Sequence, residues 1–208
     1  MDRQKRALLY RVLREKDSVD KFSYTVDFSN VNSWDEYFFN ICNQVARNSK
    51  CFSRHIGATL VRDKSILSTG YNGPPRGVPT CDKRWELDEL LKERYGDRVD
   101  LSKVEGQCPR HLLDFKSGEG LSVCIAGHAE RNALINSARM GVCTKGTEED
   151  PSTLYMSCGI PCTPCLVEII NAGVSEIVVT SLGLYDESAY YLLKESALKF
   201  RLYDFIDR

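Results

Sequence analysis

The stretch Thr153–Thr180, TLYMSCGIPCTPCLVEIINAGVSEIVVT, reads as strand, helix, strand. Thr153 to Ser157 is a short apolar run of strand length. Cys162 to Ala172 repeats its apolar residues at helical spacing and is closed by Gly173, where a helix C-cap belongs. Glu176 to Thr180 is again a strand, rich in β-branched residues. The alternation continues outward from this stretch. Downstream, Glu187 to Leu198 is a helix and Phe200 to Phe205 a last strand. Upstream, Ala129 to Met140 is helical, with Gly141 at its C-cap.

Farther upstream, Ile56 to Val61 and Ser65 to Thr69 are strands joined through Arg62-Asp63-Lys64, and Gly70-Tyr71-Asn72-Gly73-Pro74-Pro75 ends the hairpin with loop residues. Ser33 followed by Glu36 is a capping box. Trp34, Tyr37, Phe38, Ile41, Cys42, Val45 and Ala46 then recur at helical spacing, which predicts the core face of a helix. The order is α-β-β-(insert)-α-β-α-β-α-β. It predicts an α/β fold, a three-layer α/β/α sandwich on a mixed five-stranded sheet.

Two segments stand outside this pattern. Residues 1–30 form an N-terminal extension, with a basic helix expected from Arg3 to Lys16. The domain proper is expected over 31–208, interrupted by an insertion at about 76–124 that holds one charged helix candidate, Trp85 to Tyr95. So long a loop inside a compact domain requires a staple or a function.

Composition narrows the class. The 208 residues carry 28 Lys+Arg against 29 Asp+Glu, a net charge of −1. That balance argues against nucleic acid as a partner, since backbone-tracking proteins show a basic excess. No run approaches the roughly 18 apolar residues of a membrane span. The opening Met1-Asp2-Arg3-Gln4-Lys5-Arg6 has no signal-peptide core behind it, so a cytoplasmic location is expected. A chain of this length buries roughly 70% of its unfolded surface and needs no disulfides to hold a core. The excess among its nine cysteines is therefore expected to reflect metal ligands in a reducing compartment.

Two short segments carry the chemistry: His128-Ala129-Glu130 and Pro161-Cys162-Thr163-Pro164-Cys165. Each alone is weak, because a lone CxxC is a redox dithiol as readily as half a zinc site. Together, each opening a helix, they match the zinc-deaminase pattern H-x-E…P-C-x-x-C. Cys162 and Cys165 lie on one side of a helix's first turn, where the helix dipole favours thiolates. With His128 they make three protein ligands, and the fourth position stays open, as in catalytic zinc sites. Glu130 is then the proton shuttle beside the metal. The implied reaction is hydrolytic deamination. Glu130 takes a proton from the attacking water, passes it to ring N3 of a cytosine, and later protonates the departing amine.

On these residues the chain resembles the deoxycytidylate (dCMP) deaminase branch of the zinc-dependent cytidine deaminase superfamily. The likeness runs from Ser33 to about Phe205, through Ser33-Trp34-Asp35-Glu36-Tyr37-Phe38, Ser49-Lys50-Cys51, Ile56-Gly57-Ala58 and Gly70-Tyr71-Asn72-Gly73 to the two zinc segments. The resemblance implies a cytidine deaminase-like fold. It also implies conversion of dCMP to dUMP for thymidylate synthesis, on a small-molecule nucleotide substrate. Many such enzymes are hexamers activated by dCTP and inhibited by dTTP, so a homo-oligomer and both effectors are expected. It further implies that Asn72 contacts the sugar, that the main chain of Ala129 reads the base, that Arg54 binds the phosphate, and that Tyr155 or Tyr185 lines the pocket. Alternatives on the same chemistry are CMP, a 5-substituted dCMP or another amino-heterocycle. A non-catalytic zinc module is a further alternative, against which the retained Glu130 argues.

Some viral members that the chain resembles carry a structural zinc near positions like Cys51 and Cys81. A second zinc held by Cys51, Cys81, Cys108 and Cys124, with His111 as a substitute ligand, would staple the insertion. The alternative is four separate thiols. Cys42, Cys143 and Cys158 have no ligand role in either case.

Overall fold

The two-residue turn Asp63-Lys64 starts the sheet. In the computed structural model, which describes residues 33–116 and 118–203, both residues take left-handed backbone conformations, with φ of 46° and 54°. Such turns match the twist of the strands they connect. They join β1 (Gly57–Arg62) to β2 (Ser65–Tyr71), with Arg62 opposite Ser65 and a register shift between Leu60 and Val61. β1 also pairs antiparallel with β3 (Ser152–Met156). β3 runs parallel to β4 (Glu176–Val179), and β4 to β5 (Lys199–Leu202). The order β2-β1-β3-β4-β5 is the mixed five-stranded sheet that the sequence predicts.

Helix α1 (Ser33–Ala46) lies on one face of this sheet. Its backbone rests almost directly on β1: a Cβ at Gly57 would fall 2.0 Å from the carbonyl oxygen of Cys42, so the position accepts glycine alone. The buried stripe of α1 is Asp35, Phe38, Phe39, Cys42 and Ala46, packed on Val61, Tyr155 and Val178. This corrects the face expected from the sequence. Trp34 and Tyr37 are 38% and 50% exposed, and Phe39 is fully buried. The physical reason is Asp35. Arg201 on β5 donates to both of its carboxylate oxygens, at 2.6 and 3.1 Å, and the Tyr155 hydroxyl donates to it at 2.7 Å. A carboxylate with those partners takes an inward position, and the stripe rotates with it.

The insertion has a small core of its own, Trp85, Leu91, Leu113 and Val123. The single helix expected from Trp85 to Tyr95 is instead two, α2 (Arg84–Leu87) and α3 (Glu89–Tyr95). Asp88 divides them. It is extended, accepts from Leu91 N at 3.0 Å as the cap of α3, and pairs with Arg84 at 2.6 Å. One further turn, α4 (Pro109–Leu112), follows Cys108.

The opposite face of the sheet carries α5 (Ala129–Arg139), α6 (Thr163–Asn171) and α7 (Glu187–Glu195). Alternate strand residues Ala58, Leu60, Leu154, Met156, Ile177 and Val179 join them in the larger core. α5 presses on β2 at Gly70, where a Cβ would lie 2.2 Å from Ala129 O and Ala133 N. Asn132 and Asn136 then donate to the carbonyls of Tyr71 and Thr69, both at 2.7 Å, and fix α5 along β2. The expected helix in residues 3–16 and the rest of the 1–30 extension lie outside the described residues. No helix among the described residues is long and apolar enough to cross a membrane.

Candidate metal centre

Two helix starts meet on the α5–α6 side of the sheet. His128 is the extended residue before α5, and Cys162 is the extended residue before α6. Cys165 lies in the first turn of α6 and is fully buried. The chain therefore delivers all three side chains from the N-terminal ends of rigid helices. Cys162 Sγ and Cys165 Sγ are 3.5 Å apart, and His128 Nδ1 is 3.6 Å from the first and 3.3 Å from the second. A tetrahedral zinc with ordinary bond lengths needs edges of roughly 3.8 Å between sulfurs and roughly 3.6 Å from sulfur to nitrogen. The donor set and its spacing fit that ion. Among the described residues, these three are the one group of His, Cys, Asp or Glu side chains whose ligand atoms all lie within 4.8 Å of one another.

The electrostatics agree with a metal site. A hydrogen bond from the Cys165 thiol, helped by His128, holds Cys162 down to about 4, against the burial that pushes it up. The partner thiol, Cys165, is pushed upward by that same bond and by its burial, so the pair shares one proton. The hydrogen bond to Cys162 raises His128 above its ordinary range. Glu130, only 4% exposed, places Oε1 3.8 Å from His128 Nδ1. This is a carboxylate beside the centre and outside its ligand triangle.

The family model for the cytidine and deoxycytidylate deaminase zinc-binding region matches residues 32–181. The chain belongs to this deaminase family. Among its relatives, deoxycytidylate deaminase of Saccharomyces cerevisiae is 30% identical over 175 residues, which cover 84% of this chain and 46% of that protein. Deoxycytidylate deaminase of Schizosaccharomyces pombe is 31% identical over 171 residues, 82% of this chain and 44% of that protein. The chain thus spans less than half the length of these two relatives. The crystal structure of dCMP deaminase from the cyanophage S-TIM5, in complex with dCMP and dUMP, has the same fold. It matches with a TM-score of 0.53 and 22% identity, over 81% of this chain and 95% of that one.

The deaminase fold treats the remaining expected site residues unequally. Asn72 is buried beside the centre, next to Gly73, which bridges Gly127. Its side chain braces the 49–56 loop: Oδ1 accepts from Ser49 Oγ and Ile56 N, both at 2.8 Å, and Nδ2 donates to Arg54 O at 2.7 Å. Ala129 is fully buried as the first residue of α5, where the backbone N–H has no partner within the helix. Arg54 is exposed and donates to Tyr185 Oη at 2.6 Å. Tyr155 is a correction. It lies on the other face of the sheet, packed on α1 and bound to Asp35, because successive residues of β3 point to opposite faces.

Cys51, Cys81 and Cys108 are buried and Cys124 is half-buried. Burial, and then the neighbouring Cys124, Cys108 and Cys51, push the Cys81 thiol up to about 11. The other three act on Cys81 electrostatically, but the four do not reach the mutual ligand distance of the first site.

One residue of the centre escaped sequence reasoning. Asp186 accepts from Ala189 N at 2.9 Å as the cap of α7 and from Thr163 N at 3.1 Å at the head of α6, and it also accepts from the Thr163 hydroxyl. It anchors the turn that carries both cysteines. An Asp immediately before a predicted helix was the available signal for half of this role.

Proposed function

We propose that this protein is a zinc-dependent hydrolase that deaminates dCMP to dUMP and ammonia. The observation that carries the reading is the buried Glu130 carboxylate, 3.8 Å from His128 and outside the His128–Cys162–Cys165 triangle. A zinc module used only for binding has no need of that carboxylate. When bound, zinc supplies a Lewis acid that lets a water ionise near neutral pH. Glu130 accepts the proton of the attacking water and delivers it to ring N3. It then takes the second proton from the hydroxyl now on C4 and passes it to the amine as the C4–N bond breaks, so that water and cytosine become uracil and ammonia. The main chain of Ala129, at the head of α5, meets the base. Asn72 retains one amide N–H for a sugar hydroxyl while holding Arg54 in place. Arg54 receives the phosphate, for which a guanidinium is the preferred side chain.

The test is ammonia release by the zinc-loaded protein from dCMP, CMP, deoxycytidine and 5-methyl-dCMP, with Glu130→Ala as control. Turnover fastest on dCMP and lost in the control is the expected result. A zinc-loaded protein that releases ammonia from none of them overturns the reading. The hexamer and the dCTP and dTTP effects implied by the resemblance belong to the same proposal, and are checked by light scattering and by rates with each nucleotide.

A second, structural zinc at Cys51, Cys81, Cys108 and Cys124 is part of the proposal. It is supported by three cysteines from separate segments that act on Cys81, and by the small apolar cluster of the insertion, Trp85, Leu91, Leu113 and Val123. Two zincs per chain are expected, falling to one with Cys81→Ser. One zinc in both proteins removes this site.

A further inference from the structure

The segment from Cys108 to Gly120 takes no part in the deamination chemistry, yet it is built with care. Arg110 turns its guanidinium inward, donating to Glu119 O at 2.6 Å and Lys116 O at 2.7 Å, and Lys116 N donates to the Glu119 carboxylate at 2.9 Å. Among the described residues, this end of the insertion touches the main domain on both sides of Arg54. His111 Nε2 is 2.9 Å from Ser53 Oγ, across 58 positions of sequence. Gly118 adjoins Tyr185: a Cβ there would stand 3.7 Å from Tyr185 Cε1. Tyr185 is in turn the residue that Arg54 bonds, with the guanidinium 5.8 Å from its ring centroid.

The rim so formed adjoins the segments that carry the metal centre. Asn72 holds the Arg54 carbonyl and adjoins the Gly73–Gly127 bridge, one residue before His128. Tyr185 adjoins Asp186, which anchors Thr163 between the two cysteines. Among the described residues Arg54 has no carboxylate partner, and both it and His111 are exposed. A guanidinium without a carboxylate partner, next in sequence to a serine hydroxyl that meets an imidazole, offers donors suited to a phosphate monoester dianion.

We infer that His111, supplied by the insertion, is a specificity-determining residue that completes with Ser53 and Arg54 the subsite for the 5′-phosphate of the substrate. The insertion thereby selects nucleotides over nucleosides. This rests on the deaminase reading above, because the phosphate is that of its substrate.

The experiment compares kcat/KM for dCMP with that for deoxycytidine in the wild type, His111→Ala, His111→Gln and Ser53→Ala, all as zinc-loaded full-length protein. The dCMP to deoxycytidine ratio is expected to fall by about tenfold or more in His111→Ala, the loss of one charge-assisted hydrogen bond. The fall should appear in KM for dCMP and be partly restored in His111→Gln. Inorganic phosphate binding, followed by phosphorus NMR, should weaken in parallel and needs no turnover. An unchanged ratio and unchanged phosphate binding in His111→Ala and His111→Gln overturn the inference. Where His111→Ala loses zinc or melts early, His111→Gln and Ser53→Ala decide alone, by the same two readouts. A wild type that deaminates neither substrate while binding phosphate through His111 sinks the deaminase reading and leaves the subsite standing.

Discussion

Asp186 accepts the backbone N–H of Thr163 at 3.1 Å, and Thr163 sits between two of the three ligands of the metal centre. One carboxylate thus ties the head of α7 to the turn that presents both thiolates. Groups that orient metal ligands typically contribute ten- to hundredfold in affinity. Asp186→Ala should weaken zinc retention by about that factor, measured by competition with a chelator, and an unchanged affinity would contradict the assignment. The pH dependence has a definite sign. Burial pushes the Asp186 carboxyl up, but the hydrogen bonds from Thr163 and Ala189 outweigh it and hold the group below its ordinary range. Its stabilising contribution is complete above an ordinary carboxylate pKa of about 3.9 and is lost as pH falls through the lower folded value. Its anchoring is therefore intact at neutral pH and fails only in stronger acid.

Glu130→Gln keeps the shape of the pocket and removes the proton acceptor. Loss of a positioned general acid–base group costs about a hundredfold to ten-thousandfold in rate. The variant should lose that much in kcat and still hold zinc in the wild-type amount. Simultaneous loss of metal would mean that Glu130 supports the ligands and does not move the proton.

The thiols of the metal-free protein should differ sharply in reactivity. Cys162, held down to about 4 by the hydrogen bond from Cys165, is a thiolate at mildly acidic pH. Cys143 is exposed and open to reagent. Cys42, pushed up to about 12 by burial, stays protonated and enclosed. Iodoacetamide at about pH 6 should therefore label Cys162 first and leave Cys42 untouched. Peptide mass spectrometry reads the order, and prior zinc loading should abolish the Cys162 label. Faster labelling of Cys143 would count against the shared-proton pair.

The Asp35–Arg201 pair stabilises the far face of the sheet and has no contact with the metal centre. Removing one partner leaves the other charge uncompensated, at about 3–5 kcal/mol for a buried pair. Arg201→Met should fall toward the lower end, because the Arg201 side chain is 33% exposed while that of Asp35 is 6%. Denaturant unfolding measures the cost, and the double replacement should cost less than the sum of the two single ones. Additive losses would show that the two residues act separately.

Helix and strand periods, with glycines at helix ends, were enough to place the elements of the sheet and its helices. Each depends on residues only a few positions apart. The candidate metal centre was legible for the same reason: Cys162 and Cys165 share one helical turn, and His128 shares another with Glu130, the carboxylate beside the centre. The face of α1 was not legible, because Asp35 is inward only in the presence of Arg201, and the two are 166 positions apart. Tyr155 was misplaced for a related reason. The sequence shows a tyrosine on a strand, but strand pairing decides which face of the sheet it occupies.

The chain's local order therefore carries the class of fold and the residues of the candidate metal centre, since backbone propensities and short spacings are short-range. Partners brought together from distant segments were decided by packing alone: Asp186 under Thr163, Asn72 under Arg54, and His111 against Ser53. Each of these bonds joins surfaces that meet only after the sheet has formed, and no spacing in the sequence encodes their distance.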